Sequence, residues 1–351
     1  MTNAESSGSG KAQDGHHTRR ATIADVARLA EVSSATVSFV INNKHAMRIS
    51  AATRERVWAA VRELGYRPNA LAKSLSSGSS RFIGVVADAI ATTPFAGQLI
   101  QGAQDEAWRH GYVLLVTNTD EEPEVEVQAL RMLLEHQVAG ILYSTYYHRE
   151  VELPPSLGNA SVVLANCYAE GAVAPCVVPD EVQGGRTATE VLLAAGHRRV
   201  AFVNSVEDAP ATKGRLQGYR IALEAAGIPF DENLVLTLGS HQESGSIAGD
   251  KLVEIEQRPT AVFCYNDRVA MGLYDALRER GLRVPTDMAV VGFDNQEIIS
   301  GHLRPPLTTV ALPHYEIGVR AVQVLLGIDT GEPPGLLRHV IECPIIIRES
   351  V

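Results

Sequence analysis

The sequence predicts an all-α head of three short helices in front of an α/β body built as two similar lobes. Three observations carry this: helical periodicity confined to residues 22–65, short apolar runs alternating with amphipathic stretches after residue 81, and a reversal of charge at the same place. Residues 18–81 hold eleven Lys and Arg against four acids, net +7, whereas residues 82–351 carry −16 of a chain total of −10. Such a split fits a nucleic-acid-binding module joined to a body that DNA repels, although a solvated basic surface has the same arithmetic.

At 351 residues the chain exceeds what one core usually organises, so two or three domains are expected. A composition of 45% hydrophobic and 21% charged residues is globular and excludes a largely disordered chain. Cys167, Cys176, Cys264 and Cys343 never approach a Cys-x-x-Cys spacing. Zinc and thioredoxin-like readings therefore fail, reduced core thiols are expected, and no metal or other cofactor is called for. There is no run of 18 apolar residues, and MTNAESSGSGKAQDGHHTRR lacks the apolar centre of a secretory signal, so a cytoplasmic protein without a membrane partner is expected.

Residues 1–20 have no periodicity and read as a disordered tail; the pair Gly10-Lys11 is no phosphate loop, since Glu5 and Ala12 stand where that motif needs Gly and Ser or Thr. Thr22 is placed to cap a first helix in which Ile23, Val26, Ala27 and Ala30 share a face. After the turn at Glu31-Val32, Ser33 caps a second helix with Val37, Val40 and Ile41 inward. Ser50 caps a third with Val57, Ala60, Val61 and Leu64 on one stripe, stopped by Gly65. The outer face of the second helix, Ser34, Ala35, Thr36 and Ser38, is small enough to enter a major groove, as in a helix-turn-helix; an ordinary three-helix bundle is the alternative.

In the body, residues 81–88, 111–118, 138–144 and 161–166 read as buried parallel strands of one lobe, and residues 198–205, 233–238, 261–266 and 288–294 as those of the other. Helical stretches between them, such as 98–110 and 125–136, complete two sets of four β-α units.

The phrases TIADVARLAEVSSATVSFVIN and ISAATRERVWAAVRELGYRPNALAKSL resemble the DNA-binding head of the lactose/galactose repressor family. FIGVVAD, LLAAGHRRVAFV, GRLQGYRIALEAAGI, CYNDRVAMGLYDALRERGLRVPTDMAVVGFDN and PPLTTV extend the resemblance over nearly the whole chain. It implies a helix-turn-helix head with a hinge helix, and an α/β two-lobed, periplasmic-binding-protein-like (type I) sensor. The expected domains are 21–68 for the head, 69–80 for the hinge helix and linker, and 81–351 for effector binding and dimerisation. The implied function is sequence-specific transcriptional regulation, as a repressor, with operator affinity set by a small polar ligand.

By that resemblance Thr22 meets a phosphate, Ser34, Ala35, Ser38 and Phe39 face bases, and Asn42 and Arg48 contact the backbone. Many family members carry Arg at the Phe39 position, a guanine reader; Phe cannot donate that hydrogen bond, and it could instead be a core aromatic. Glu31 replaces a frequent turn glycine, which suggests a turn that avoids positive φ. The segment from Asn69 through Ala72 to Leu75 is about two turns long, marginal as a free helix, and expected to order on DNA with Leu75 wedged into a central base step. In the sensor, Arg215, Asn266 and Asp294 fall at ligand-binding positions near strand ends, with Asp180, Phe95 and His314 as further cleft candidates. Carboxylate, guanidinium and amide suit a polyol, which favours a sugar; His241, where the family often stacks an aromatic, leaves a nucleobase or a metabolite acid open. A structural ion pair is the alternative for Arg215 and Asp294.

An enzyme has no motif support, since no G-x-G-x-x-G follows a strand and no Ser/His/Asp set has context. A solute-binding protein would share the sensor architecture but not the basic head. The expected partners are thus a near-palindromic double-stranded DNA operator, a small-molecule effector and a second copy of the chain, with no heptad tail to build a tetramer.

Overall fold

The computed structural model describes residues 21–41, 49–66, 80–89, 97–333 and 335–351. These fall into two compact units, divided between residues 78 and 79.

The first unit comprises α1 (Ile23–Leu29), α2 (Ser34–Ile41) and α3 (Ala51–Glu63). Thr22 caps α1 in a reciprocal box with Asp25, Ser33 accepts from the Thr36 N–H, and Ser50 accepts from the Thr53 N–H. Val26, Val37, Val40, Val57 and Ala60 close the core. One expectation is reversed: Glu31 adopts φ +54°, so the turn between α1 and α2 keeps the left-handed conformation that glycine reaches without strain. Chain reversal after α1 imposes that backbone whatever residue occupies it.

The second unit contains two six-stranded sheets where sequence periodicity gave four strands each. The first lobe holds β1 (Phe82–Ala87), β2 (Val113–Asn118), β3 (Ile141–Glu150), β4 (Val162–Tyr168) and β5 (Cys176–Pro179), with α4 (Gly97–Arg109) and α5 (Pro123–Glu135) between them. The second lobe follows as α6 (Glu181–Ala194), β6 (Val200–Ser205), α7 (Pro210–Ala225), β7 (Val235–Leu238), α8 (Gln242–Glu254), β8 (Ala261–Cys264), α9 (Asp267–Glu279), β9 (Ala289–Asp294), α10 (Glu297–Ser300) and β10 (Thr308–Ala311). The chain then returns to the first lobe as α11 (His314–Leu325) and β11 (Arg338–Ile341), and ends in the second as β12 (Ile345–Ile346). Strand order is β11-β5-β4-β3-β1-β2 in one sheet and β12-β10-β9-β8-β6-β7 in the other, all pairs parallel except β10 with β12. The strands absent from the sequence reading are β5, β10, β11 and β12, of two to four residues each.

Three crossings therefore join the lobes, and they are tied side by side. The Asp180 N–H donates to the Ile341 carbonyl at 2.8 Å, the Ala311 N–H to the Pro344 carbonyl at 2.7 Å, and the Gln183 side chain exchanges hydrogen bonds with the Cys343 backbone. Parallel strands buried on both faces give each lobe its own core: Ile83, Leu99, Leu142, Val163 and Ile317 in the first, and stacked Phe202 and Phe263 (centroids 4.5 Å apart) with Tyr219 and Phe293 in the second.

Candidate ligand cleft and DNA-facing helix

A cleft of about 480 Å³ opens between the lobes at the carboxyl ends of their strands, the place where open parallel sheets gather ligand-binding side chains. Its second-lobe wall rests on a tight helix pair. A side-chain carbon on Gly185 would lie 2.5 Å from the Arg215 carbonyl oxygen, and one on Gly218 2.2 Å from that of Val182, so only glycine lets α6 and α7 approach this closely. That approach brings Arg215, 3% exposed, against Glu181.

The Arg215 guanidinium is almost wholly engaged. Its Nε donates to Glu181 Oε2 at 2.9 Å, Nη1 donates to the Tyr265 carbonyl, and Nη2 stands 3.6 Å from Asp294 Oδ1. Its central carbon lies 3.6 Å from the centre of the Phe293 ring. Burial opposes the charge on Arg215, but the carboxylate of Glu181, with Tyr265 and Asp294, outweighs it and raises the group above its ordinary value. Burial likewise works against Glu181, yet Arg215 and His148 hold it below the usual carboxylate range. Asp294, at the end of β9 with φ +98°, is different: burial pushes it up to about 6, and Arg215 and Gln296 pull it back only in part. Asp294 is the wall's acid that titrates near neutrality.

The first-lobe wall comes from an irregular strand. Ser144 of β3 pairs with Ala165 of β4 and Arg149 with Cys167, so Thr145 to His148 bulge out opposite the single residue Asn166. The bulge aims Tyr146, Tyr147 and His148 into the cleft, where Asn166, with φ +61°, joins them. Contacts between the walls include Arg268 Nη2 donating to the Tyr146 hydroxyl at 3.3 Å, and His148 Nδ1 lying 3.5 Å from Glu181 Oε1. A roomier hollow of about 560 Å³ on the flank of the first lobe is lined by aliphatic side chains and prolines such as Leu153, Pro155, Val173 and Leu325; it gathers no titratable group, and the interlobe cleft does.

Of the residues singled out from sequence, Arg215, His241, Asn266 and Asp294 line this cleft together. Asn266 is spoken for: its Oδ1 caps α9 by accepting from the Val269 N–H, and its Nδ2 donates to the Ser240 carbonyl. Asp180 caps α6 by accepting from the Gln183 N–H, and His314, which burial pushes down to about 4, opens α11 at a crossing; neither is brought to the cleft lining. Phe95 lies outside the described residues. The Arg215–Asp294 contact lies inside the second lobe, and Glu181 rather than Asp294 makes the closer pair. Tyr146, Tyr147, His148, Asn166, Glu181 and Gln296 carry no expectation from sequence; the only hint was an aromatic Tyr-Tyr-His run directly after an apolar strand. Among the described residues no cluster of three or more His, Cys, Asp and Glu is arranged to hold a metal, and no helix is long and apolar enough to cross a membrane.

In the first unit Ser34 and Ala35 are exposed at the start of α2, and Thr36, Ser38 and Phe39 are half-buried. Phe39 lies one turn from Ala35 and next to Ser38, off the stripe formed by Val37 and Val40. Thr22 is exposed, its hydroxyl donating to Asp25 Oδ2 at 2.6 Å; hydrogen bonds from the Thr22 hydroxyl and backbone hold Asp25 down at about 2. Asn42, Arg48, Asn69, Ala72 and Leu75 lie outside the described residues.

Comparison with known proteins agrees with this two-part architecture. Residues 22–69 match the family of bacterial regulatory proteins called lacI, and residues 189–351 match a periplasmic binding protein-like domain. The chain is 38% identical to the HTH-type transcriptional repressor PurR of Vibrio atlanticus (strain LGP32), over 87% of this chain and 91% of that protein. Among solved structures it is similar to the lac repressor dimer bound to operator and the anti-inducer ONPF (27% identity, 95% of this chain and 99% of that one, TM-score 0.77). It is also similar to a complex of the transcriptional regulator CelR with cellobiose (32% identity, 95% and 100%, TM-score 0.64). The chain therefore belongs to the lacI family of bacterial regulatory proteins, and is a DNA-binding transcriptional regulator with a helix-turn-helix head and a periplasmic-binding-protein-like sensor.

Proposed function

We propose that the protein represses transcription in the cytoplasm as a homodimer on a near-palindromic operator, and that an uncharged, hydroxyl-rich small molecule in the interlobe cleft releases it. The observation that carries the effector half is Asp294: a buried carboxylate beside a guanidinium, facing the cleft, whose free lone pairs suit ligand hydroxyl donors. A sugar is the first reading, in keeping with the cellobiose complex of a relative. A nucleobase or nucleoside is the second, favoured by Tyr146 and Tyr147, which line the same cleft and bring aromatic rings to it. The dimer reading rests on geometry, because one recognition helix spans few base pairs.

Selection of sites from random DNA, followed by titration of cellobiose, free monosaccharides and nucleosides into the operator complex, tests both halves. The selected sites are expected to be palindromic, and affinity to fall about 10³ to 10⁵-fold between 50 and 200 mM salt, as for roughly six to ten phosphate contacts. Asp294→Asn should weaken the effector without altering operator affinity in its absence. Salt-independent binding, or an operator affinity that ignores every ligand which binds the cleft, refutes the corresponding half.

A further inference from the structure

We infer that His148 is a specificity-determining residue of the first lobe, which accepts a hydrogen bond from a hydroxyl or N–H group of the effector through Nε2; this rests on the reading of the cleft as the effector site. His148 lines the cleft yet is only 5% exposed. Its Nδ1 faces Glu181 Oε1 at 3.5 Å, too long for a strong hydrogen bond, and its Nε2 has no hydrogen-bond partner. A buried polar atom without a partner is costly, and persists where something outside the chain satisfies it.

The surroundings fix which nitrogen does what. Glu181 is an anion held by Arg215 on its other oxygen, so it can only accept, and the imidazole proton facing it belongs on Nδ1. In the neutral ring that leaves Nε2 as the acceptor. The ring of Tyr168 meets the imidazole edge-on, centroids 5.9 Å apart, and opposes rotation of the ring into the opposite arrangement. Because His148 belongs to the first lobe and Glu181 to α6 of the second, a hydrogen bond accepted at Nε2 polarises the ring and strengthens donation from Nδ1 toward Glu181. Recognition by the first lobe and closure of the lobes thus share one side chain.

The test uses the full chain with cellobiose and cytidine as probes, one for each ligand chemistry proposed above. His148→Gln places an amide near the Nε2 position and His148→Asn places one near Nδ1. If His148 reads the ligand, the Gln variant keeps affinity for the binding probe within about threefold, while the Asn and Phe variants lose roughly tenfold or more, as for one buried hydrogen bond. If His148 is merely a latch between lobes, the Asn variant behaves as parent and the Gln variant is impaired, which overturns the inference. Imidazole nitrogen shifts of histidine-labelled parent give a ligand-independent decision: a bare Nε2 is expected, and a protonated one overturns the proposal even if a probe binds. A parent that binds neither probe but shows the bare Nε2 refutes the choice of effector chemistry and not the assignment of the acceptor.

Discussion

The two walls of the cleft are built in opposite ways. On the second-lobe wall Arg215 holds Glu181 and stands beside Asp294 at the end of β9, the helices that carry Arg215 and Glu181 are packed so closely that glycine is required, and the guanidinium has little left to offer a ligand. On the first-lobe wall a bulge in β3 presents Tyr146, Tyr147 and His148, with Nε2 of His148 and Oδ1 of Asn166 buried and without hydrogen-bond partners. A rigid wall fixes where a ligand sits, and an unsatisfied wall gains most when it arrives. Since a ligand shifts an equilibrium only by its differential affinity for the two states, the coupling to operator binding is expected to depend on the less satisfied wall.

The sharpest way to break that contrast is Arg215→Ala. It strands Glu181 as a buried charge, so denaturant unfolding of the full chain should show a loss of about 3 to 5 kcal/mol. A loss under about 1 kcal/mol means the second-lobe wall is not the rigid one.

Next in size is the response to acid. Asp294 titrates at about 6, so a ligand that donates to its carboxylate must displace a proton below that pH, and affinity should fall about tenfold per pH unit there. Stability runs the other way. A folded value above the ordinary 3.8 means Asp294 contributes stability below 3.8 that is lost as the pH rises through about 6. Calorimetric titration between about pH 5 and pH 7 of parent and Asp294→Asn checks this, with the variant expected to lose the dependence. A parent whose affinity is flat over that range removes Asp294 from ligand contact.

The smallest effect is expected on the first-lobe wall. Tyr147 is 45% exposed, with Arg149 5.3 Å from its ring centre. Tyr147→Ala should therefore change stability by under about 1 kcal/mol while altering the ranking of sugars against nucleosides in the cleft. Equal ranking by parent and variant would leave the bulge without a part in selectivity.

The same contrast explains what the sequence made legible. Thr22, Ser33 and Ser50 announce their helices because capping is local chemistry, visible in three or four residues. Arg215, Asn266 and Asp294 are legible through the resemblance to the lactose/galactose repressor family, whose motifs place them at ligand-binding positions. The Tyr146 to His148 bulge could not, since it exists only through the register of β3 against β4, a relation between residues some twenty positions apart. Glu31 shows the converse: residue type suggests one backbone, and the reversal of the chain imposes another. Asp180 and His314 lie at the crossings by position in the chain, which carries no information on whether a side chain reaches the cleft or is consumed by a helix end.

The three crossings also set an order on synthesis. The first lobe begins at β1 but takes Ile317, Ala321 and Val322 of α11 into its core and β11 onto its sheet edge. As the chain leaves the ribosome, the lobe made first must wait for residue 341, some 160 residues after its own β5, before its sheet is complete. At typical elongation rates that is on the order of ten seconds or more, during which nearly all of the second lobe has already emerged and can fold. The nascent first lobe spends that interval with an apolar helix site uncovered, and its maturation depends on a neighbour translated later.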